Sequence, residues 1–129
     1  MAMKAEKTNA GSFPKFPVSK GLKTKANKRW QVLAGDRNHW RVGYYSPTDS
    51  NADQVTFLEK HTCVEMFLLL KGAITVIVDD GKGEKMIKLE PMKPVMVSGW
   101  HNGFSPKGKN SSIALVVERD DFNTIYRAR

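Results

Sequence analysis

The apolar positions of the chain fall in short runs rich in β-branched and aromatic residues, separated by polar stretches that contain glycine or proline. Such runs are typical of β-strands joined by turns. About eight of them recur, and no segment shows the sustained 3.6-residue repeat of a long amphipathic helix. The pattern therefore predicts an all-β sandwich or barrel, with strands at 30–33, 40–45, 55–60, 65–70, 73–78, 85–89, 94–97 and 113–118.

Three segments refine this pattern. Residues 79–83 read Asp-Asp-Gly-Lys-Gly, which predicts a tight hairpin turn because glycine readily adopts positive φ. The run 66–70 is apolar on both faces, so it fits either a central barrel strand or a strand covered by a second copy in a homodimer. Residues 122–129 are compatible with a short helix or an edge strand.

The composition indicates one ordinary domain. The 129 residues are 40% hydrophobic and 26% charged, and a chain of this length can form a core without disulfides. A single cysteine is compatible with a reducing compartment. The chain has neither a signal-like apolar segment near its start nor a run of membrane-spanning length, so we expect a cytoplasmic protein with no membrane partner.

The net charge of +8 is concentrated near the N-terminus. Residues 1–30 contain eight lysines and arginines but only one acidic residue, and the remaining chain is almost neutral. We interpret residues 1–29 as a basic, partly disordered arm and residues 30–129 as the single folded domain. A basic arm could attract nucleic acid, but without a recognised nucleic-acid motif we expect a solvated arm and no nucleic-acid partner.

The candidate chemistry lies immediately before the apolar run 66–70. Glu59, His61, Cys63 and Glu65 alternate in sequence, so on continuous extended backbone their side chains would share one face. Carboxylates and imidazoles on one face could ligate an ion between their tips. Cys63 could instead be a redox-sensitive thiol or a small buried residue.

The spacing His-x3-Glu-x6-Gly resembles the first conserved motif of the cupins. In that family two histidines and a glutamate hold a metal inside a small β-barrel, and the glycine makes the following turn. His61 matches the second histidine, Glu65 the glutamate and Gly72 the glycine. Glu59 stands where the family has its first histidine, and Asp53 stands at the position of its leading glycine.

A second stretch resembles the second cupin motif, whose histidine completes the metal site. His101 matches that histidine, although one residue separates it from Gly99 instead of two, and Ser105 occupies the position of the motif's asparagine. The resemblance covers roughly residues 40–121, and the segments 89–94, 100–102 and 116–120 resemble a group of small single-domain cupins of uncharacterised activity. Trp100 and Phe104 flank the motif and could line the substrate pocket or belong to the core.

The resemblance implies an antiparallel, jelly-roll-like cupin β-barrel in which His61, Glu65, His101 and Glu59 hold a divalent transition metal. Two imidazoles with one or two carboxylates suit Zn, Fe, Mn, Ni or Co better than calcium. Cys63, Trp100 and Phe104 would then border the substrate pocket. A metal-free pocket, in which both histidines pair with the glutamates, is the alternative.

Three functions are compatible with these residues. The first is a metal-dependent lyase, isomerase or dioxygenase acting on a small molecule, with Glu59 or Glu65 transferring a proton. The second is a cupin that binds a small-molecule ligand without catalysis. The third is a nucleic-acid-associated module that acts through the basic arm. We also expect a homodimer, because cupins often pair through added edge strands.

Overall fold

The computed structural model of the protein describes residues 16–129, so the first half of the predicted arm lies outside the described part of the chain. Within the described part, the chain forms ten β-strands and one short 3-10 helix. The strands are β1 (Trp30–Asp36), β2 (Trp40–Tyr45), β3 (Phe57–His61), β4 (Glu65–Lys71), β5 (Thr75–Asp79), β6 (Glu84–Lys88), β7 (Val95–Val97), β8 (Trp100–Phe104), β9 (Ile113–Arg119) and β10 (Thr124–Ala128), with the 3-10 helix at Ala52–Gln54.

The strands form two antiparallel five-stranded sheets. Sheet 1 has the order β1-β2-β9-β4-β7, and sheet 2 has the order β10-β3-β8-β5-β6. The larger core cluster draws side chains from both sheets, including Phe67 and Val116 of sheet 1 and Val76 and Val78 of sheet 2. Burial of apolar area between the two sheets is therefore the main stabilising contribution. The all-β prediction is confirmed.

A smaller cluster stabilises the other face of sheet 2. Leu58, Ile77 and Phe104 are buried there together with Val55, which follows the 3-10 helix. Strand β5 is consequently buried on both faces along its whole length. Sheet 2 is thus held between the main core and a loop that packs on its outer surface.

The chain crosses from one sheet to the other immediately after His61. Strand β3 lies in sheet 2 and β4 in sheet 1, and residues 62–64 make the connection. The prediction that Glu59, His61, Cys63 and Glu65 share a face of one extended strand is therefore corrected. Glu65 faces the other two ionisable residues from the opposite sheet, and Cys63 lies in the connecting turn.

The second chemical stretch, for which no strand was predicted, forms a strand. Strand β8 lies inside sheet 2, paired with β5 on one side and with β3 at Glu59↔His101 on the other. Gly99, at φ 95°, turns the chain into this strand. Gly103 lies within it because a Cβ there would come within 2.8 Å of the Tyr45 hydroxyl. The segment is therefore a strand, although one glycine precedes it and another lies within it.

The C-terminal segment forms an edge strand. Strand β10 pairs with β3 along its whole length, in a register that places Thr124 opposite His61 and Tyr126 opposite Glu59. The predicted hairpin turn at 79–83 is also present, between β5 and β6, with Gly81 at φ 104°.

Residues 17–28 precede the first strand and are exposed, without helix or strand. The backbone of Lys25 exchanges two hydrogen bonds with the Gln31 side chain, and these bonds tie the end of the segment to β1. Between Phe16 and the C-terminus, no helix is both long enough and apolar enough to cross a bilayer.

Candidate functional site

A cavity of about 280 Å³ lies at one end of the space between the two sheets. This volume is at the lower end of the range for ligand pockets and suits a small molecule. Its floor is apolar, and its charged and polar lining comes from six strands (β2, β3, β4, β8, β9 and β10) and from Arg29, which precedes β1. The lining residues are Arg29, Trp30, Arg41, Tyr45, Glu59, His61, Glu65, Phe67, Val76, His101, Asn102, Val116, Glu118, Phe122, Thr124 and Tyr126.

Two histidines and two glutamates converge in this cavity. Oε1 of Glu65 lies 3.0 Å from Nε2 of His61 and 3.0 Å from Nε2 of His101. Oε1 of Glu59 lies 3.7 Å and 3.8 Å from the same two nitrogen atoms. The imidazole ring centroids are 5.1 Å apart. The structure therefore brings together the four residues that the sequence suggested as ligands.

The backbone determines this convergence. Glu59 and His101 are direct partners across β3 and β8, so their side chains leave the sheet side by side. His61 is two residues further along β3 and points to the same face. Glu65 is the first residue of β4 and reaches them from sheet 1. The sharp crossover after His61 therefore brings Glu65 opposite Glu59 and His61, which are its neighbours in the sequence.

Each imidazole is oriented through its other ring nitrogen. Nδ1 of His101 lies 3.0 Å from the carbonyl oxygen of Gly99, and because a carbonyl only accepts, this nitrogen carries the proton. Nδ1 of His61 lies 2.8 Å from the Thr124 hydroxyl. In the neutral form of His101, the lone pair of Nε2 consequently points into the cavity. This is the arrangement that metal-binding histidines usually have.

Oε1 of Glu65 is buried and accepts no aligned hydrogen bond from residues 16–129, although both Nε2 atoms are close. The contact is therefore a charge interaction instead of a well-directed hydrogen bond. Burial alone would raise the pKa of Glu65, but the adjacent imidazoles outweigh it and lower that pKa to about 2. A carboxylate held ionised in a buried position needs a positive partner, either an imidazolium or a cation.

His101 shows the reciprocal effect. Its burial disfavours the charged ring, but the neighbouring Glu65 carboxylate, with Glu59 further away, raises the pKa of His101 above its ordinary value. The pair thus stabilises one positive charge between Glu65 and the ring. Protonation of His101 supplies that charge in the absence of an ion.

The donor atoms also fit a metal ion. Ligand atoms of Glu59, His61 and His101 lie within 4.8 Å of one another, and so do those of His61, Glu65 and Glu118. Both groups share His61, so they describe one compact centre. Mixed imidazole and carboxylate donors suit zinc, iron, manganese, nickel and cobalt.

Glu118 is a site residue that the sequence analysis did not identify. It is buried on β9, and the Arg41 guanidinium binds its Oε1 at 2.8 Å. Burial raises the pKa of the Glu118 carboxyl, the nearby Glu65 charge raises it further, and Arg41 opposes both. Its alternation with the inward-facing Ala114 and Val116 was the available signal, since all three share one face of the strand.

Arg29 is a second unanticipated site residue, because the sequence places it at the end of the basic arm. Its guanidinium enters the cavity and donates to Oδ1 of Asn102 at 2.9 Å. It also lies over the Tyr45 ring, 5.5 Å from the centroid. No sequence signal separates this arginine from the other basic residues of the arm.

Three residues, Cys63, Trp100 and Phe104, were suggested for the substrate pocket. In the structure none of them lines the cavity. Cys63 is in the crossover turn, where burial raises the pKa of its thiol. Phe104 is buried in the small cluster on the outer face of sheet 2, and Trp100 packs against that cluster, under the Arg127 guanidinium. Phe104 points away because it pairs with Thr75, which is one residue from the inward-facing Val76, and neighbouring residues of a strand face opposite sides of the sheet.

His39, the remaining one of the chain's three histidines, is a surface residue. Its side chain is 67% exposed, and Nδ1 lies 3.3 Å from an Asp36 carboxylate oxygen in the same turn. His39 takes no part in the cavity.

Comparison with known proteins identifies the fold. A cupin 2 domain-containing protein from Halorhodospira halophila has 18% identity and a TM-score of 0.57, over 85% of this chain and 74% of that protein. Hydroxypropylphosphonic acid epoxidase from S. wedmorenis has 15% identity and a TM-score of 0.57, over 84% of this chain and 63% of the enzyme. An iron(II) form of HppE has 19% identity and a TM-score of 0.56, over 84% of this chain and 60% of that enzyme.

The chain therefore has the cupin fold, as its two motifs led us to expect. It spans somewhat less than two thirds of the length of the epoxidase structures. No protein-family model and no curated protein matches the sequence. At these identities the similarity establishes the architecture alone.

Proposed function

We propose that this protein is a metal-dependent cupin that acts on a small molecule through the cavity between its sheets. The observation that carries the proposal is the buried Oε1 of Glu65, which faces two Nε2 atoms at 3.0 Å and accepts no aligned hydrogen bond within residues 16–129. A cation among these atoms would satisfy the carboxylate and both nitrogen lone pairs together.

His61, His101 and Glu65 would hold the ion, with Glu59 as the fourth donor. Zinc, iron, manganese, nickel and cobalt all accept this donor set. Among proteins with this fold, HppE has been crystallised in iron(II) and cobalt(II) forms, which shows that the architecture accommodates such ions. Elemental analysis of the purified protein identifies the metal.

When bound, a divalent ion would polarise an oxygen atom of the substrate and stabilise negative charge that develops there. Glu59 has the geometry of a proton carrier, since it is less tightly held than Glu65 and its side chain is 19% exposed, against 5% for Glu65. Phe67, Val76 and Val116 form the apolar floor of the cavity, and this floor limits access of water. These features favour lyase, isomerase or dioxygenase chemistry.

A binding protein without catalysis is the second candidate, and one observation favours it. The Glu65 carboxylate and a protonated His101 stabilise each other, as the opposite shifts of their pKa values indicate. The cavity can thus be electrically satisfied without a metal. The same pocket would then bind a small-molecule ligand and release it unchanged.

Metal content distinguishes the two candidates. Wild-type protein, H101A and H39A should be purified without chelator or affinity tag and their metal per chain measured. We expect near-stoichiometric metal in wild type and H39A, and a large loss in H101A, because imidazole is the donor that these ions favour. H39A is the matched control, since it removes an exposed imidazole outside the cavity.

A gain-of-affinity variant completes the test. Glu59→His places an imidazole where cupins have their first histidine, so it should raise metal affinity relative to wild type. Background metal in wild type, H101A and E59H alike, after incubation with each of the five ions, would contradict the metal-dependent function. The binding-protein candidate would then replace it.

We also propose that the protein is a cytoplasmic homodimer that associates through the outer face of sheet 1. The register places Val42, Val117, Met66 and Met96 in one row across four strands. Tyr44, Leu115 and Leu68 form the adjacent row. An apolar face of this kind is self-complementary, so a two-fold axis through it would bury both rows against a second copy.

A further inference from the structure

Within the part of the chain that the structure describes, Arg29 differs from the other charged residues of the cavity in having no charged partner. Among residues 16–129 its guanidinium makes one side-chain hydrogen bond, to the neutral Oδ1 of Asn102, and no ion pair within 4.0 Å. Arginine has five N–H donors in a planar fork. Most of these donors are therefore available to a molecule in the cavity.

Arg41 serves as an internal comparison. It lines the same cavity, but two of its nitrogen atoms bind Oε1 of Glu118, each at 2.8 Å. Glu118 is buried and satisfies that positive charge. Of these two arginines, Arg41 is neutralised by a carboxylate, whereas Arg29 has no carboxylate partner among residues 16–129.

The position of Arg29 is well defined. The guanidinium lies 5.5 Å from the Tyr45 ring centroid and 6.0 Å from that of Phe57, so two aromatic faces support it. The Asn102 amide that accepts from it is itself fixed, because its Nδ2 donates to the carbonyl oxygen of Phe57 at 2.9 Å. Positive charge is therefore held in place before any ligand binds.

Tyr45 supplies a second donor beside Arg29. Its hydroxyl lies 3.5 Å from Oδ1 of Asn102, and the residue lines the cavity. Burial raises the pKa of Tyr45, with the Arg29 charge opposing, so the phenol stays neutral and able to donate. An oxyanion at this point would meet a guanidinium and a hydroxyl together.

The charge balance of the cavity also favours an anionic ligand. Its carboxylates are Glu59, Glu65 and Glu118, and its guanidiniums belong to Arg29 and Arg41. With neutral histidines, a divalent ion at the proposed centre would leave one net positive charge. A monoanion would neutralise the loaded cavity, whereas a cationic ligand would increase the excess.

We propose that Arg29, supported by Asn102 and assisted by Tyr45, binds an oxyanion group of the substrate, either a carboxylate or a phosphate-type group, beside the His/Glu centre. The inference deepens the proposed function by naming a substrate class, a small organic anion. It also assigns the last residue of the basic arm to the site, as a substrate-binding residue.

The test uses small probes of matched size on the 15N-labelled protein as purified. Acetate, inorganic phosphate and neutral acetamide are titrated separately, and the side-chain amide resonance of Asn102 reports binding. We expect acetate or phosphate to shift this resonance saturably and acetamide to have no effect. Whichever of the two anions binds more tightly identifies the group.

Arg29→Gln should weaken binding of the preferred anion about tenfold or more, as the loss of charge-assisted hydrogen bonds implies. Arg29→Lys keeps the charge without the planar fork, so this variant should retain part of the affinity. Partial binding by R29K would show that the loss in R29Q comes from the missing charge and not from a folding defect. Arg37→Gln, which removes an exposed arginine in the β1–β2 turn, is the matched control and should bind like wild type.

Equal anion binding by wild type and R29Q, or equal shifts with acetate and acetamide, would overturn the inference. An equal loss in R37Q would also do so, because it would mean a nonspecific charge effect. Metal per chain is measured on the same samples and should be unchanged in R29Q, since Arg29 is not a ligand. Failure of the metal proposal would appear in those values, independently of the anion titration.

Discussion

Glu65 and His101 meet at 3.0 Å although they belong to opposite sheets and lie 36 positions apart in the sequence. Glu65 begins β4 of sheet 1, and His101 is the second residue of β8 in sheet 2. Both are almost completely buried. A buried ion pair costs desolvation energy on both sides, so its presence in a small protein fits a site selected for binding better than one selected for stability.

Thr124 provides the first prediction. Its hydroxyl lies 2.8 Å from Nδ1 of His61 and fixes the orientation of that ring. Thr124→Val keeps the shape of the side chain but removes the hydrogen bond, so metal affinity should fall by about 10- to 100-fold. Competition titration against a chromophoric chelator measures the change.

Thr124→Ser is the control for this prediction because it retains the hydroxyl. It should bind metal within a few-fold of wild type. If T124V bound metal as tightly as T124S, the hydroxyl would have no part in organising the centre.

The acid stability of the metal-free protein provides the second prediction. The folded-state pKa of Glu65 is lowered to about 2 from an ordinary 4.5, so its ionised form stabilises the fold. This contribution is complete above about pH 4.5 and is lost as the pH falls towards 2. A shift of this size corresponds to a free energy on the order of 3 kcal/mol.

Glu65→Gln lacks this titration. In urea unfolding, the difference in free energy of unfolding between wild type and E65Q should therefore be largest near neutral pH and should narrow steadily below about pH 4. A difference that stayed constant between pH 6 and pH 3 would show that the carboxylate is not held ionised by the adjacent imidazoles.

The local pattern of apolar and turn residues was sufficient to predict most of the strands. Alternating apolar residues and the Asp-Gly turn predicted eight of the strands to within a few residues, because side-chain burial and turn chemistry are local properties. Strand β8 was missed because Gly99 and Gly103 look like loop residues in sequence. Gly103 is in fact required by the close approach of the Tyr45 hydroxyl, which is a long-range contact.

The site was predictable only in part, because some of its residues are brought together by long-range contacts that the local sequence does not encode. The motif spacing identified Glu59, His61, Glu65 and His101, all of which line the cavity. The crossover after His61 was not visible, so Cys63 was assigned to the wrong face of an imagined single strand. Arg29 precedes β1 and lies outside any strand, so no periodicity in the sequence encodes its entry into the cavity.

The arm provides the third prediction. Residues 17–24 are exposed, whereas Lys25 bonds to Gln31 and Arg29 lies in the cavity. Deletion of residues 1–24 should leave the thermal midpoint within a few degrees of wild type. Deletion of residues 1–29 should lower it further and abolish anion binding, because it removes the guanidinium that packs between Tyr45 and Phe57.

Scanning calorimetry of both truncated proteins measures the difference. A large fall in the midpoint on deleting residues 1–24 alone would mean that Val18 or Leu22, or a residue before them, contributes to a core or an interface. The solvated-arm interpretation would then be wrong, and the boundary of the folded domain would move towards the N-terminus.

The last prediction concerns the proposed homodimer. Met96 is 63% exposed at the end of the apolar row on sheet 1, where it pairs with Met66. Met96→Glu should convert a dimer into a monomer, because it would bury an unpaired carboxylate between two copies. Met86, 54% exposed on strand β6 of sheet 2, is the matched site, so Met86→Glu should leave the dimer intact. Light scattering coupled to size exclusion gives the mass of each variant, and a monomeric wild type, or equal masses for both variants, would exclude association through this face.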